Sequence, residues 1–190
     1  MHVDTRAAGD TAEGRASRGD LADRILREGA RPGLDFFLPR VFGETTKASR
    51  PDVVAKFKEI FLATSPRGLA DGLNGLAARP DMTTFLREIK APTLVVCGEE
   101  DIITPRSDAE IMQRGIQGAE LAMISKSGHL PSMETPEAFT AVLAKFLERG
   151  LGLISTVILA RLLLPGDFGL VAMAAPIVMF IELLRSFSFD

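Results

Sequence analysis

The feature that most constrains this fold is an alternation of short apolar runs with helical patterns between residues 91 and 149. The runs Thr93–Cys97 and Glu120–Ile124 predict buried strands, and Pro105–Ile116 and Pro136–Arg149 predict amphipathic helices. No hairpin turn joins the two strands. Strands that alternate with helices pair in parallel, and a parallel sheet is covered on both faces. This segment therefore predicts an α/β fold.

The first ninety residues predict a different organisation. Residues 1–10 contain a strand stub around His2 and a linker, and residues 11–90 carry mainly helical patterns. Asp10 or Thr11 is a suitable N-cap for the first helix, which Gly29 ends. The predicted elements are a helix over 11–28, a short segment over 34–41, and helices that begin at Pro51, at Ser65-Pro66 and at Asp81.

Charge and cysteine content exclude several classes of protein. The net charge is −3 and the isoelectric point is about 5.5, so no basic field attracts nucleic acid. Cys97 is the only cysteine, which excludes a disulfide framework, and we expect it to be a small buried apolar residue. We expect no cofactor and no metal. Residues 1–6 lack the apolar core of a secretory signal.

Two polar residues follow the predicted strands and form the candidate catalytic pair. Asp101 comes after the first strand and His129 comes 28 residues later, after the second. Function in open parallel sheets gathers beyond the carboxyl ends of the strands. A buried aspartate would hold the imidazole in one tautomer, and the imidazole would take a proton from a hydroxyl nucleophile. Glu99 and Glu100 are the alternative acids.

The motifs around this pair carry a family resemblance. Four segments, taken together, resemble the C-terminal part of an α/β-hydrolase. They are the run from Ile89 to Asp101, the dipeptide Thr104-Pro105, the tripeptide Gly128-His129-Leu130 and the run from Glu134 to Phe139. The resemblance is strongest to small esterases and 3-oxoadipate enol-lactonase-like proteins, and it covers about residues 1–148. It implies that residues 11–90 form the helical cap over the substrate pocket, that 91–149 form the C-terminal hydrolase segment, and that the substrate is a small ester or lactone. It also implies that Asp101 is the acid and His129 is the base.

The nucleophile of such an enzyme is missing from the sequence. The chain contains no G-x-S-x-G, and the family's nucleophile elbow, oxyanion-hole loop and first five strands precede the part that this chain resembles. The serines we considered all lack the glycines of an elbow: Ser17, Ser49, Ser65, Ser107, Ser125, Ser127 and Ser132. We therefore expect an incomplete hydrolase fold with an unpaired edge beside Thr93–Cys97, and no efficient hydrolysis by this chain alone. Truncation or gene fusion is our hypothesis for its origin.

The last forty residues predict an apolar helical hairpin. Residues 151–164 and 168–184 are two apolar runs joined by the turn Pro165-Gly166-Asp167. Residues 150–188 resemble the start of the polysaccharide or lipopolysaccharide flippase family, which implies two membrane helices. We therefore expect membrane association through residues 151–185, with the soluble part in the cytoplasm. The alternatives are a hairpin packed on the hydrolase part of a cytoplasmic protein, and a membrane-associated fusion protein without catalytic function.

Overall fold

The computed structural model describes residues 1–162, except the side chains of residues 153, 154, 156, 159, 160 and 162. These residues divide between two compact units, Met1–Leu143 and a second unit that begins at Ala144. The sheet, the predicted catalytic pair and the helices that surround them all lie in the first unit.

Three parallel strands form the sheet, as the sequence predicts. They are β1 (His2–Val3), β2 (Leu94–Gly98) and β3 (Glu120–Ile124), in the order β1-β2-β3. Residue 95 lies opposite His2 on one side and Leu121 on the other. The expectation that β2 lacks a neighbouring strand was wrong, because the stub β1 pairs with it. Every residue of β2 is buried, and β1 has one partner strand among residues 1–162.

The remaining elements are helices. They are α1 (Ala12–Glu28), α2 (Arg31–Val41), α3 (Glu44–Ser49), α4 (Pro51–Ala63), α5 (Pro66–Ala77), a 3₁₀ helix (Thr83–Glu88), α6 (Arg106–Gly115), α7 (Pro131–Glu134) and α8 (Pro136–Leu162). The predicted ends of α1 are confirmed: the Thr11 side chain accepts a hydrogen bond from the Gly14 N–H, and Gly29 has a φ of 85°.

Two expectations about the helices differ from the structure, and two short helices were not predicted. The segment predicted from Asp81 to Ile89 is a 3₁₀ helix, in which the Asp81 carboxylate accepts from the Thr83 N–H. The short helices α3 and α7 carry too few turns for a periodic signal. The helix predicted to end at Arg149 continues through Gly150 and Gly152, because an interior glycine costs a helix only about 1 kcal/mol.

Apolar clusters hold the first unit together. One cluster packs α6 and the 3₁₀ helix against one face of β2, around Val95 and Cys97. A second joins α1 and α5 around Ile25, which is fully buried. A third, centred on Phe42, is joined by Ile103 and Leu130 from the loops after β2 and β3. Helices α2 and α4 are therefore packed directly onto the loops that carry Asp101 and His129.

No helix within the described part of the chain is long and apolar enough to cross a membrane. The second apolar run of the predicted hairpin, residues 168–184, lies outside the described residues, as does the turn before it. The hairpin therefore stays a prediction.

Candidate active site

Asp101 and His129 meet at one edge of the sheet. Asp101 follows β2 and His129 follows β3, and because these strands are parallel neighbours, their carboxyl ends lie side by side. The Oδ2 atom of Asp101 lies 2.9 Å from Nδ1 of His129. The Asp101 side chain is fully buried, and 23% of the His129 side chain is exposed. The structure thus brings the two predicted residues together.

The loop after β2 holds the Asp101 carboxylate in place. Oδ1 accepts hydrogen bonds from the N–H groups of Ile103 (2.8 Å) and Thr104 (3.1 Å). Oδ2 accepts from the Thr104 hydroxyl at 2.7 Å, and that hydroxyl oxygen lies 3.3 Å from Nδ1 of His129. The sequence analysis used Thr104 only as part of the family motif and gave it no role at the site. The missed signal was an Asp followed three residues later by Thr, a spacing at which side chains bond to nearby backbone groups.

Glu134 organises the loop that carries His129. Its buried carboxylate accepts hydrogen bonds from the N–H groups of Gly128 (3.0 Å), Leu130 (2.9 Å) and Gly43 (2.8 Å). The first two lie on either side of the histidine. Sequence reasoning did not assign Glu134 a role, because its three partners come from two separate segments of the chain.

Gly128 permits a close approach between this loop and the helical segment. A Cβ at Gly128 would collide with the backbone of Gly43, so only glycine fits. The N–H of His129 donates to the carbonyl of Val41 at 3.0 Å. The end of α2 therefore fixes the backbone of the candidate base.

Neither of the two alternative acids hydrogen-bonds to His129 within the described part of the chain. Glu100 accepts hydrogen bonds from the backbone N–H and the hydroxyl of Thr45, and these bonds lower its pKa. The side chain of Glu99 is exposed. Asp101 is the one acid of the three whose carboxylate bonds to His129.

The electrostatics of the pair suit a base. Burial alone would lower the pKa of His129, but the hydrogen bond and the charge of Asp101 outweigh it and raise the pKa. Burial likewise opposes ionisation of Asp101, but the hydrogen bonds from His129 and Thr104 lower its pKa. With Nδ1–H directed at the carboxylate, Nε2 is the nitrogen that accepts a proton. Nε2 hydrogen-bonds to none of residues 1–162.

A cavity of about 220 Å³ opens beside His129. The loop after β1 and the helical segment supply most of its walls. Its lining residues are Asp4, Thr5, Arg6, Arg18, Phe37, Val41, Leu76, Arg79, Ile103, Thr104 and His129. Asp4 has a φ of 40° and accepts a hydrogen bond from the Gly98 N–H at 3.1 Å. Burial raises the pKa of Asp4 to about 7.

One group of side chains has the composition of a metal site. A carboxylate oxygen of Asp4, another of Asp101 and the Cys97 sulfur lie within 4.8 Å of one another. Burial raises the pKa of Cys97 to about 12, so the thiol stays protonated and is a poor ligand. Asp101 already accepts four hydrogen bonds. These residues therefore do not fit a bound cation. As expected from the sequence, Cys97 is buried.

Family comparison agrees with this geometry. Residues 26–155 match the model of the Ndr family, which is more than half of the chain. The chain belongs to the Ndr family of α/β-hydrolase proteins. The resemblance to α/β-hydrolases and the predicted α/β fold are thereby confirmed. A second model, described as polysaccharide biosynthesis protein, matches residues 136–190.

Individual relatives agree with this assignment. The chain is 36% identical over 87 residues to pimeloyl-[acyl-carrier protein] methyl ester esterase of Neisseria meningitidis, a match that covers 46% of this chain and 33% of that protein. A thermophilic esterase of Thermogutta terrifontis superimposes with a TM-score of 0.75 at 36% identity, covering 77% of this chain and 54% of the esterase. The enol-lactonase of Burkholderia xenovorans superimposes with a TM-score of 0.68 at 26% identity, covering 76% of this chain and 54% of the enol-lactonase. The chain thus spans between a third and about half of these relatives.

Proposed function

We propose that this Ndr-family chain supplies the acid–base half of an ester- or lactone-hydrolysing site. His129 is the general base and Asp101 is the residue that orients it. The observation that carries the proposal is the 2.9 Å contact between the Asp101 carboxylate and Nδ1 of His129, at the rim of a cavity and with Nε2 free of protein partners among residues 1–162. The relatives named as esterases and an enol-lactonase favour acyl transfer to water over other reactions.

The reaction needs a hydroxyl nucleophile that the 190 residues do not supply in an elbow. Ser127 lies two residues before the base, but its hydroxyl is buried and has no hydrogen-bond partner among the described residues. A serine in that setting is not activated by His129, because activation needs a hydrogen bond between hydroxyl and imidazole. We therefore propose that the chain alone does not turn over esters efficiently.

Complementation tests the proposal directly. The full chain is mixed with, or fused behind, the part of the Thermogutta terrifontis esterase that this chain does not cover. Hydrolysis of a p-nitrophenyl ester and labelling by a fluorophosphonate are then measured. We expect both signals only in the combination, and we expect His129→Ala to abolish turnover. Asp101→Asn should also reduce turnover, and Asp71→Asn, which removes an exposed acid on α5, is its matched control. Turnover by the chain alone that depends on His129 would contradict the need for a second segment. A folded, inactive combination would contradict the assigned role of His129.

A second candidate is a membrane-associated protein without catalytic function. The match of residues 136–190 to the polysaccharide biosynthesis model favours it, since that segment holds the predicted hairpin. Carbonate extraction of membranes from cells that produce the full chain distinguishes the two. Retention in the membrane pellet supports this candidate, and release into the supernatant opposes it.

A further inference from the structure

The cavity beside His129 is lined by an unusual number of cations. Arg6 from the loop after β1, Arg18 from α1 and Arg79 from the turn after α5 all contribute to its wall. These three residues come from separate segments, so the fold rather than a local run of basic sequence brings them together. The whole chain is slightly acidic, which makes the local excess of positive charge distinctive.

Two of the three arginines share one acid. Arg6 and Arg18 each bind one oxygen of Asp10, whose side chain is only 1% exposed. This pairing fixes both guanidinium groups against the cavity wall. One carboxylate compensates one of the two positive charges, so the pair leaves a net charge of about +1 at the cavity.

Arg79 has no acid partner among the described residues. Its Nη2 atom donates to the carbonyl of Ala8 at 3.0 Å, whereas its Nε atom is buried without a hydrogen-bond partner. The buried Nε atom is out of reach of a ligand, so an anion in the cavity would meet the Nη edge of the guanidinium. That edge matches a carboxylate with two parallel hydrogen bonds.

The remaining acid of the cavity opposes an anion only weakly near neutral pH. One oxygen of Asp4 is bound to the N–H of Gly98, and burial raises the pKa of this carboxyl to about 7. About half of the Asp4 carboxyl groups are therefore protonated at pH 7. His129 is paired with the Asp101 carboxylate, so the arginines set the sign of the local potential.

We propose that the cavity binds a carboxylate group through Arg79, so that the preferred substrate is a small ester or lactone that also carries a free carboxylate. The statement that the ligand is an ester or lactone rests on the proposed function, whereas the binding of its carboxylate depends only on the cavity. Arg6 and Arg18 contribute a positive field, and Arg79 is the residue that determines specificity. The carboxylate is held at Arg79, and the acyl group lies toward His129.

Two probes that differ in one charge test this inference. Monomethyl glutarate and dimethyl glutarate have nearly the same length, but only the first is an anion at pH 7. Binding to the full chain is measured by NMR titration of backbone amides around the cavity. We expect the monoester to bind about ten- to one-hundred-fold more tightly, as expected for one charge-assisted hydrogen-bonding group. The affected amides should include those near Arg79 and His129.

Arg79→Gln should remove most of that preference, and Arg79→Lys should retain part of it, because lysine keeps the charge but loses the planar fork. Arg67→Gln is the matched control, since Arg67 lies on α5 in an exposed ion pair with Asp71. If Arg79→Gln fails to fold, the Lys variant decides the matter through its intermediate affinity. Equal binding of the two probes by the unaltered chain would overturn the inference. A folded Arg79→Gln variant that still prefers the monoester to the same extent would also overturn it.

The outcome is separable from that of the complementation experiment. Selective binding without turnover in the complemented protein would leave the anion site standing and remove the catalytic proposal. Turnover by the complemented protein, with no preference between the two probes, would support the catalytic proposal and remove the anion site.

Discussion

Asp101→Asn is the sharpest perturbation of the candidate site, since it changes one atom and one charge. Asp101 accepts four hydrogen bonds, two at each oxygen. An asparagine keeps the two backbone bonds to Oδ1 if its amide nitrogen takes the place of Oδ2. The Thr104 hydroxyl can rotate to accept from that nitrogen, so this bond is inverted rather than lost. The bond to His129 changes most, because a donor now faces Nδ1.

The expected result has two parts. The charged hydrogen bond between Asp101 and His129 is lost, which should lower the free energy of unfolding by about 2 kcal/mol. The neutral imidazole should also move its proton from Nδ1 to Nε2, because Nδ1 must now accept. That tautomer cannot take a proton at the nitrogen that faces the cavity. The pKa of His129 should fall, since Asp101 is what holds it above its usual value.

Nitrogen-15 NMR of the imidazole reports both the tautomer and the titration, and urea unfolding reports the stability. His2 is the only other histidine and serves as an internal reference. Asp71→Asn is the control for the loss of an acid elsewhere. The reasoning fails if Asp101→Asn leaves the tautomer and the pKa of His129 unchanged.

Two further perturbations address the surroundings of the pair. Glu134→Gln keeps an oxygen for Gly128 and Leu130 but turns an N–H toward the Gly43 amide. The substitution should lower the free energy of unfolding by about 1–3 kcal/mol and accelerate hydrogen exchange at the Gly43 amide far more than at the Gly128 and Leu130 amides. Equal acceleration at all three amides would contradict the assignment of one carboxylate oxygen to Gly43 and the other to Gly128 and Leu130. Asp4 binds more protons in the folded state than unfolded between about pH 4 and 7, since burial raises its pKa from 3.8 to about 7. Its contribution to stability is therefore present at low pH and is lost as the pH rises through 7. The melting temperature of Asp4→Asn relative to the unaltered chain should increase from pH 4 to pH 8, and a constant difference would contradict the raised pKa.

Much of the pair's geometry could be predicted because it follows from short-range rules. The alternation of residues 91–149 predicts two parallel strands, and parallel strands end at the same edge of a sheet. Asp101 and His129 each follow a strand end directly, so their proximity needs no knowledge of the rest of the fold. The α/β fold and the meeting of the two residues were therefore accessible from sequence.

The supporting residues were not accessible in the same way. Thr104 and Glu134 act through the direction of single hydrogen bonds, which no periodic pattern records. Glu134 binds Gly43 across 91 positions of sequence. The continuation of α8 through Gly150 was missed for another reason. A change in composition was taken as a structural break, although a helix tolerates glycine when the flanking residues favour helix.

The bonds that orient His129 define what the described part of the chain contributes on its own. Asp101 fixes the ring, Glu134 fixes the flanking amides, and Val41 at the end of α2 fixes the backbone N–H. All of these groups lie within the unit Met1–Leu143. The tautomer of the candidate base is thus set before any nucleophile or substrate is bound. Groups that are oriented in advance need no reorganisation during the reaction, which is the main source of electrostatic catalysis. An added serine within hydrogen-bonding distance of Nε2 would therefore meet an imidazole whose orientation the fold has already fixed.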